Sequence, residues 1–394
     1  MPDALRIRPR SEAMRIALVT RRFDPAGGGT ERDLMVTAQC LRDAGHAVTI
    51  YTDEIRGEAG EWRVKRVGEP LLGRVLTVMP SSRALGLMRF GLTAARRARE
   101  DGADLVLSFA RIADADVLRS GGSAHASYVQ AARQWRSAMG GIAMRLSPYH
   151  RAQIALERRG FTSLRLKKAI AVSELVRRDL IKEFAIDSAK VVTLYNGVDL
   201  ERFRPRTGDE QRQAVRNELA IPATAPAVIF VGNGFARKGL GYLIRAWPAV
   251  GTEPYLVVAG ADRRAASYER LAQRLGVGGR VRFVGTHGAI ERLFDAVDAL
   301  ALPSLFEPFG NVVMEAMAAG LPVMTSAACG VTELVPEEMR AFVVEDPMNA
   351  DEIASRMKSL IEARRGLAEV ARAAAEKWTW YRYGEELLAI LATV

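Results

Sequence analysis

The sequence predicts an α/β fold built in two halves, each a parallel sheet covered by helices. Short runs of β-branched and aliphatic residues alternate with longer helical stretches, the pattern of βα units. That alternation starts afresh after about 200 residues, and at 394 residues the chain exceeds what one hydrophobic core supports. No short internal repeat is visible, so the duplication is one of architecture.

The first half opens on MRIALVT, an apolar run of strand length at residues 14–20. It leads into a turn with Gly27, Gly28 and Gly29, then a helix for which Thr30 is the expected N-cap and Asp33 the acid at the third helical position. A Gly-rich turn opening a helix can receive phosphate, and a tight βα turn without a ligand fits the same residues. The spacing is GGG and not GxGxxG, so even with Asp53 at the end of the second strand a nicotinamide site has only weak support. Further strands are expected at 48–52, 105–108, 169–172 and 191–194, with His46 as a packing residue at a helix end. The segment YNGVDLERFRPRTGDE, 195–210, rich in Gly, Pro and charge, reads as the linker.

The second half has expected strands at 228–231, 256–259, 281–284, 299–303, 323–325 and 342–344. After the first comes a turn with Arg237 and Lys238, then an amphipathic helix. Two fixed cations on such a turn suit a departing diphosphate and can do electrostatically what a metal ion does elsewhere. His287 follows a later strand and fits a ligand contact or an exposed loop residue equally well. The densest signal is SLFEPFGNVVMEAMAAGLPVMTS, 304–326, which sets Glu307 and Glu315 eight positions apart around a strand-to-helix turn. Glu307 is expected at the carboxyl end of a strand, where ligands of open α/β sheets gather, and the free N–H groups after Phe309 and Gly310 can meet an anion or a sugar hydroxyl.

Composition narrows the remaining classes. There is no apolar run of membrane-spanning length, and MPDALRIRPRSEA is basic without an apolar segment, so neither a spanning helix nor a secretory signal is expected and the location is read as cytoplasmic. Cys40 and Cys329 show no metal-binding or disulfide spacing and read as small buried residues. The net charge is +10, and residues 131–182 hold twelve Lys or Arg against three Asp or Glu. Few aromatics and no nucleic-acid motif accompany them, so an anionic membrane surface is the preferred partner and nucleic acid is not expected; solvated helix faces are the other reading.

The phrase FEPFG, the second Glu followed by Ala, the AGLPV exit and the Arg-Lys-Gly turn resemble the signature of retaining GT-B glycosyltransferases of family 4, over nearly the whole chain after Ala13. FDPAGGGTERDLM, the ADV phrase, YHRAQIALERRGF and GNGFARKGL bring it nearest to the lipopolysaccharide core α-1,3-glucosyltransferase type. The resemblance implies two Rossmann-like domains facing a cleft: a tail at 1–13, an acceptor domain at 14–205 with 378–394 crossing back to it, and a nucleotide-sugar domain at 206–377. It implies that Glu307 touches the donor hexose and Glu315 the ribose. Phe309, Gly310 and Asn311 would meet sugar and diphosphate, Arg237 and Lys238 the phosphates, and Gly28 and Gly29 the diphosphate and acceptor. The implied donor is a nucleotide sugar, UDP-glucose first, used without a metal or other cofactor. The implied acceptor is a lipid-linked saccharide at the inner face of the cytoplasmic membrane, to which the enzyme would attach peripherally.

Retention offers no pair of carboxylates of the hydrolase kind. The family picture is front-face attack, with acceptor-orienting groups from 107–128: Asp114, Asp116, His125 and Tyr128. Asp116 matches an Asp-Val of the core glucosyltransferases. His125 fits both a catalytic and a structural histidine, because SAHAS departs from the common pattern. The rival readings are a nucleotide-sugar 2-epimerase of the same fold and a non-catalytic protein bound at a membrane surface.

Overall fold

The computed structural model describes residues 13–25, 27–67, 80–206 and 208–394, which leaves the basic tail outside the described residues apart from Ala13. The chain forms two compact units, Met1–Asn196 with Trp380–Val394, and Gly197–Thr379.

Unit one runs β1 Arg15–Phe23, α1 Gly29–Asp43, β2 Ala47–Ile55, β3 Val64–Arg66, α2 Pro80–Glu100, β4 Leu105–Ser108, β5 Val117–Ser120, α3 His125–Ala131, α4 Ala138–Leu146, α5 Pro148–Phe161, β6 Lys168–Ala171, α6 Glu174–Phe184 and β7 Val191–Thr193. Its strands lie in the order β3-β2-β1-β4-β5-β6-β7, each adjacent pair parallel. Ile16, Ala17, Leu18 and Val19 are all buried, because helices cover both faces of a parallel sheet and a central strand reads as an unbroken apolar run.

Unit two runs α7 Asp209–Glu218, β8 Ala227–Val231, α8 Leu240–Val250, β9 Tyr255–Ala259, α9 Ala265–Arg274, β10 Val281–Gly285, α10 Ile290–Ala296, β11 Ala299–Leu302, α11 Asn311–Ala318, β12 Val323–Ser326, α12 Glu337–Arg340, β13 Val343–Val344, α13 Ala350–Ala363 and α14 Ala368–Glu376. Its order is β10-β9-β8-β11-β12-β13, again all parallel.

The final helix, α15 Trp380–Leu391, belongs to unit one. It buries Trp380, Tyr383, Leu387 and Leu391, residues at helical spacing on one face, in the same core as Leu34, Ala38 and Leu41 of α1. Each such side chain contributes about 1.5–3 kcal/mol of burial. The Tyr383 hydroxyl also shares a hydrogen bond of 2.7 Å with Thr37 Oγ1.

Two strands have no counterpart in the expected set. β3 is a three-residue edge strand and carries little hydrophobic signal. β5 is VLRS, in which the sheet buries Arg119 completely, so its pattern looks polar; Tyr383 Oη, Asn196 Oδ1 and the faces of Phe109 and Tyr383 receive that guanidinium. Helix α1 begins earlier than Thr30 suggested. Gly28 is its N-cap, Glu31 is the acid of its first turn, and Asp33 is buried, accepting from Asn196 Nδ2 at 3.0 Å.

Candidate active site

In an open parallel sheet the crevice for a ligand lies beyond the carboxyl ends of the strands where the winding reverses. In unit two that point lies between β8 and β11, which are adjacent in the sheet although the chain builds β9 and β10 between them. The turn after β8 and the turn after β11 therefore meet there. Leu305 N–H donates to Arg237 O at 2.9 Å, and the Arg237 guanidinium donates to Phe306 O at 2.7 Å. Glu307 closes the contact, accepting from Lys238 Nζ at 2.7 Å and Arg237 Nη1 at 3.0 Å.

All three side chains are largely buried, with 13% of Glu307, 11% of Lys238 and 25% of Arg237 exposed. Burial alone would push the Glu307 carboxyl up. The charges of Lys238 and Arg237 outweigh it and hold the group below the ordinary carboxylate range, so the site is an ionised triad of two cations and one anion.

Backbone geometry fixes this arrangement at two glycines. Gly239 has φ +79°, and a Cβ there would stand 1.9 Å from Pro303 O, so only glycine lets the two turns close this tightly. Gly310, φ +107°, is the N-cap of α11, where a Cβ would press on Cys329 Sγ at 2.9 Å. The turn after β11 is braced on its other side by the turn after β12. Glu307 N–H donates to Ala328 O at 3.0 Å, while Gly330 N–H donates to Glu307 O and Val331 N–H to Phe309 O, each at 2.9 Å. Cys329, expected only as a buried filler, also donates its thiol to Phe309 O, and burial first, then the Glu307 charge, pushes that thiol up to about 12.

The structure thus brings Arg237, Lys238, Glu307, Phe309 and Gly310 together. Asn311 opens α11, and Glu315 is buried one turn further along it. Phe309 is itself buried, with its carbonyl held by the Val331 N–H and the Cys329 thiol. His287 is exposed on the loop past the edge strand β10, two strands away from the β8–β11 junction.

Unit one has its own reversal between β1 and β4. A cavity of about 260 Å³ lies there, lined among others by Thr30, Phe109, Arg111, Arg119 and Glu157. Gly28 and Gly29 stand at the start of α1, next to Thr30 of that lining.

His125 starts α3 just after β5. Its backbone N–H donates to Glu157 Oε2 at 2.5 Å, and its Nε2 shares a bond of 2.8 Å with His150 Nδ1. Burial, then the Arg111 charge and His150, push its pKa down to about 3; burial and Arg136 also lower His150, so the pair is neutral near pH 7. The sequence reading missed Arg111, His150 and Glu157. Arg111 Nε donates to Glu157 Oε1 at 2.9 Å, and no motif marks a pairing 46 residues apart.

Asp116 requires a correction. It precedes β5 and stands at the amino ends of the strands, its carboxylate accepting Val106 N–H at 2.8 Å and Arg99 Nη2 at 3.0 Å. Those bonds clamp the start of β4 to α2 on the sheet edge opposite His125, so a catalytic role for Asp116 does not fit this fold. Asp114 is likewise engaged, accepting from Ser163 Oγ at 2.9 Å. Among the described residues no three His, Cys, Asp or Glu side chains converge as metal ligands would, and no helix is long and apolar enough to cross a membrane.

Two family models match this chain. That for Glycosyltransferase Family 4 covers residues 27–202, and that for Glycosyl transferases group 1 covers residues 211–378. The lipopolysaccharide glucosyltransferase WaaG of Escherichia coli K12 is 26% identical over 92% of this chain and 95% of its own length. A D-inositol 3-phosphate glycosyltransferase of Salinispora tropica is 32% identical over 57% of this chain and 50% of its own. The chain thus spans about half the length of that relative, as it does of a glycosyltransferase of Methanocaldococcus jannaschii. The crystal structure of WaaG superposes with a TM-score of 0.75 at 24% identity, covering 94% of this chain and 98% of its own. That of Anabaena HepE in complex with UDP and glucose gives a TM-score of 0.69 at 19% identity, covering 97% and 100%. Two parallel sheets of seven and six strands, a charged triad at the second sheet's reversal and these matches together make the chain a GT-B glycosyltransferase of the family 4 group.

Proposed function

We propose that the chain moves a hexose, glucose first among candidates, from a UDP-linked donor to a saccharide acceptor at a membrane surface, with retention and without a metal. The observation that carries this reading is the Arg237–Lys238–Glu307 triad. Its two cations are fixed, largely buried and held at the crevice end of the sheet, where they can neutralise a departing diphosphate. Support for UDP comes from the likeness to HepE, solved with UDP and glucose, and support for a lipopolysaccharide core acceptor from the likeness to WaaG.

In the proposed reaction the bond from sugar C1 to the diphosphate oxygen breaks, and one from the acceptor oxygen to C1 forms on the same face. The acceptor proton passes to the departing phosphate. Arg237 and Lys238 stabilise the charge that collects on the diphosphate, and Glu307 accepts from donor hydroxyls while keeping both cations in place. The backbone around Phe309, Gly310 and Asn311 is assigned to the donor sugar and diphosphate, and Glu315 to the ribose. Gly28 and Gly29 bring backbone close to the diphosphate and acceptor, and His287 is assigned to the base side. His125, neutral through its burial and its neighbours, acts as a hydrogen-bonding group toward the acceptor and not as a cation. The test is initial-rate turnover of UDP-glucose on core oligosaccharide. Lys238→Ala is expected to cut it at least tenfold while leaving the circular dichroism spectrum intact; near-normal turnover would contradict the assignment.

Helix α4 supports the membrane part. Met139, Ile142 and Leu146 share one face of it and are 77%, 54% and 68% exposed. Exposed Arg133, Arg136, Arg145 and Arg151 lie on and beside it. Apolar side chains between arginines suit an anionic lipid surface, each well-placed cation adding about 1 kcal/mol.

A further inference from the structure

Unit two contains a second concave site that this reaction does not use. A cavity of about 660 Å³ opens at the amino ends of β8, β11 and β12, between Ala223 and Thr224, Val297 and Asp298, and Leu321 and Pro322. This is the sheet edge opposite the one that carries the triad. Its volume falls in the range of small-molecule sites.

Five arginines line the cavity, Arg206, Arg212, Arg364, Arg365 and Arg372, against four carboxylates. Two of those carboxylates are paired with lining arginines: Asp298 accepts from Arg212 at 2.7 Å, and Glu376 from Arg372 at 2.7 Å. Asp295 accepts from Gln211 Nε2 at 2.8 Å. A sixth arginine stands behind the wall. Arg216, one helical turn beyond Arg212 on α7, is completely buried, and its Nη2 donates to Ala225 O beside the lining. Among the described residues its Nε and Nη1 have no partner. Burial lowers its pKa, and the neighbouring charges of Arg212, Arg206 and Arg364 lower it further, against Asp298, which raises it. Buried guanidinium N–H groups without acceptors, among like charges, cost free energy that an anion in the cavity would offset.

We propose that this cavity is a second ligand site, which takes a small phosphorylated anion on Arg206, Arg364 and Arg365, with Arg212 and Arg216 adding fixed positive charge at its wall. Phosphate suits arginine forks because it accepts two parallel N–H bonds from each. The site is tied to the fold of the donor region: Arg372 Nη1 donates to Ala318 O at 2.8 Å, holding the last turn of α11.

Calorimetric titration of the full chain with inorganic pyrophosphate tests this, run in EDTA with UDP in excess, at low ionic strength and again in 0.15 M sodium chloride. The expected result is one binding event that persists in Lys238→Ala and weakens at least tenfold in Arg364→Glu/Arg365→Glu. Should the double variant fold poorly, Arg365→Ala, which alters one exposed side chain, is expected to weaken binding several-fold with an unchanged melting temperature. Three results would overturn the proposal. One is no binding, another is binding that vanishes in Lys238→Ala and is untouched by the Arg364/Arg365 changes, and the third is binding abolished by 0.15 M sodium chloride, which marks diffuse charge alone. Because the Arg364/Arg365 arm does not depend on UDP, failure of the donor assignment leaves this test readable.

Discussion

Replacing Glu307 by Gln keeps the side chain's shape and removes its charge. In the folded protein this carboxylate accepts Lys238 Nζ at 2.7 Å and Arg237 Nη1 at 3.0 Å, and its lowered pKa shows that attraction outweighs desolvation. Removing one member of a buried pair costs about 3–5 kcal/mol, because the remaining charge is stranded. Solvent still reaches a quarter of Arg237, which trims that figure to about 2–4 kcal/mol. For a unit of this size the melting temperature falls by about 2–4 °C for each kcal/mol. The two stranded cations are then better placed for a diphosphate, so UDP should raise the variant's melting temperature more than the wild type's. Turnover should move the other way and fall at least tenfold, about 1.4 kcal/mol of lost transition-state contact to the donor. Scanning calorimetry with and without UDP, together with initial rates, reads all three. An unchanged melting temperature, with no extra gain from UDP and normal turnover, would refute the reasoning that this triad is the donor site.

Four further outcomes follow from named contacts. Gly239→Ala forces a Cβ into Pro303 O at a left-handed backbone position, so thermal denaturation should show a loss of more than about 2 kcal/mol and UDP binding should weaken; an unchanged melting curve contradicts the packing of the two turns. Asp116→Asn should cost about 1–3 kcal/mol in stability and leave the kcat of the folded enzyme alone, whereas a kcat loss at full stability would restore Asp116 to the chemistry. His125 titrates at about 3 folded and near 6.5 unfolded, so the unfolded chain takes its proton first and stability declines as pH falls from 6.5 toward 3, by up to about 1.4 kcal/mol per pH unit. His125→Phe should flatten that decline, and an identical slope in denaturant titrations would show that other groups carry it. Met139→Glu/Ile142→Glu should abolish co-sedimentation with anionic vesicles at low salt without touching UDP affinity; undiminished sedimentation would remove α4 from the membrane contact.

Much of the fold was legible because parallel strands announce themselves. β8 and β11 are short apolar runs at the expected places, and the glycine turns follow them. The charged triad was legible for a related reason: Arg237, Lys238 and Glu307 lie in short local phrases, although their direct contact across about 70 residues is a product of sheet order. What escaped was mostly non-local. β5 was hidden because Arg119 makes it look polar, and that arginine is tolerated only where Asn196 and Tyr383 return to it from 77 and 264 residues away. Asp116 misled because a carboxylate before a strand and one after it look alike in sequence, while the sheet puts them on opposite edges. The expected domain limits of 205 and 206 differ from the break at Asn196 and Gly197 because the segment after Asn196 is held by unit-two groups, Arg372 donating to Phe203 O at 3.0 Å and Arg202 to Glu291 Oε2 at 3.0 Å.

Unit two is expected to bind a nucleoside diphosphate on its own cations. Calorimetric titration with UDP, GDP and ADP, with and without EDTA, on the wild type and on Lys238→Ala, addresses it most directly. Selective UDP binding that ignores EDTA and is lost in Lys238→Ala is the predicted result. Absence of nucleotide binding, or binding that EDTA abolishes, would contradict it.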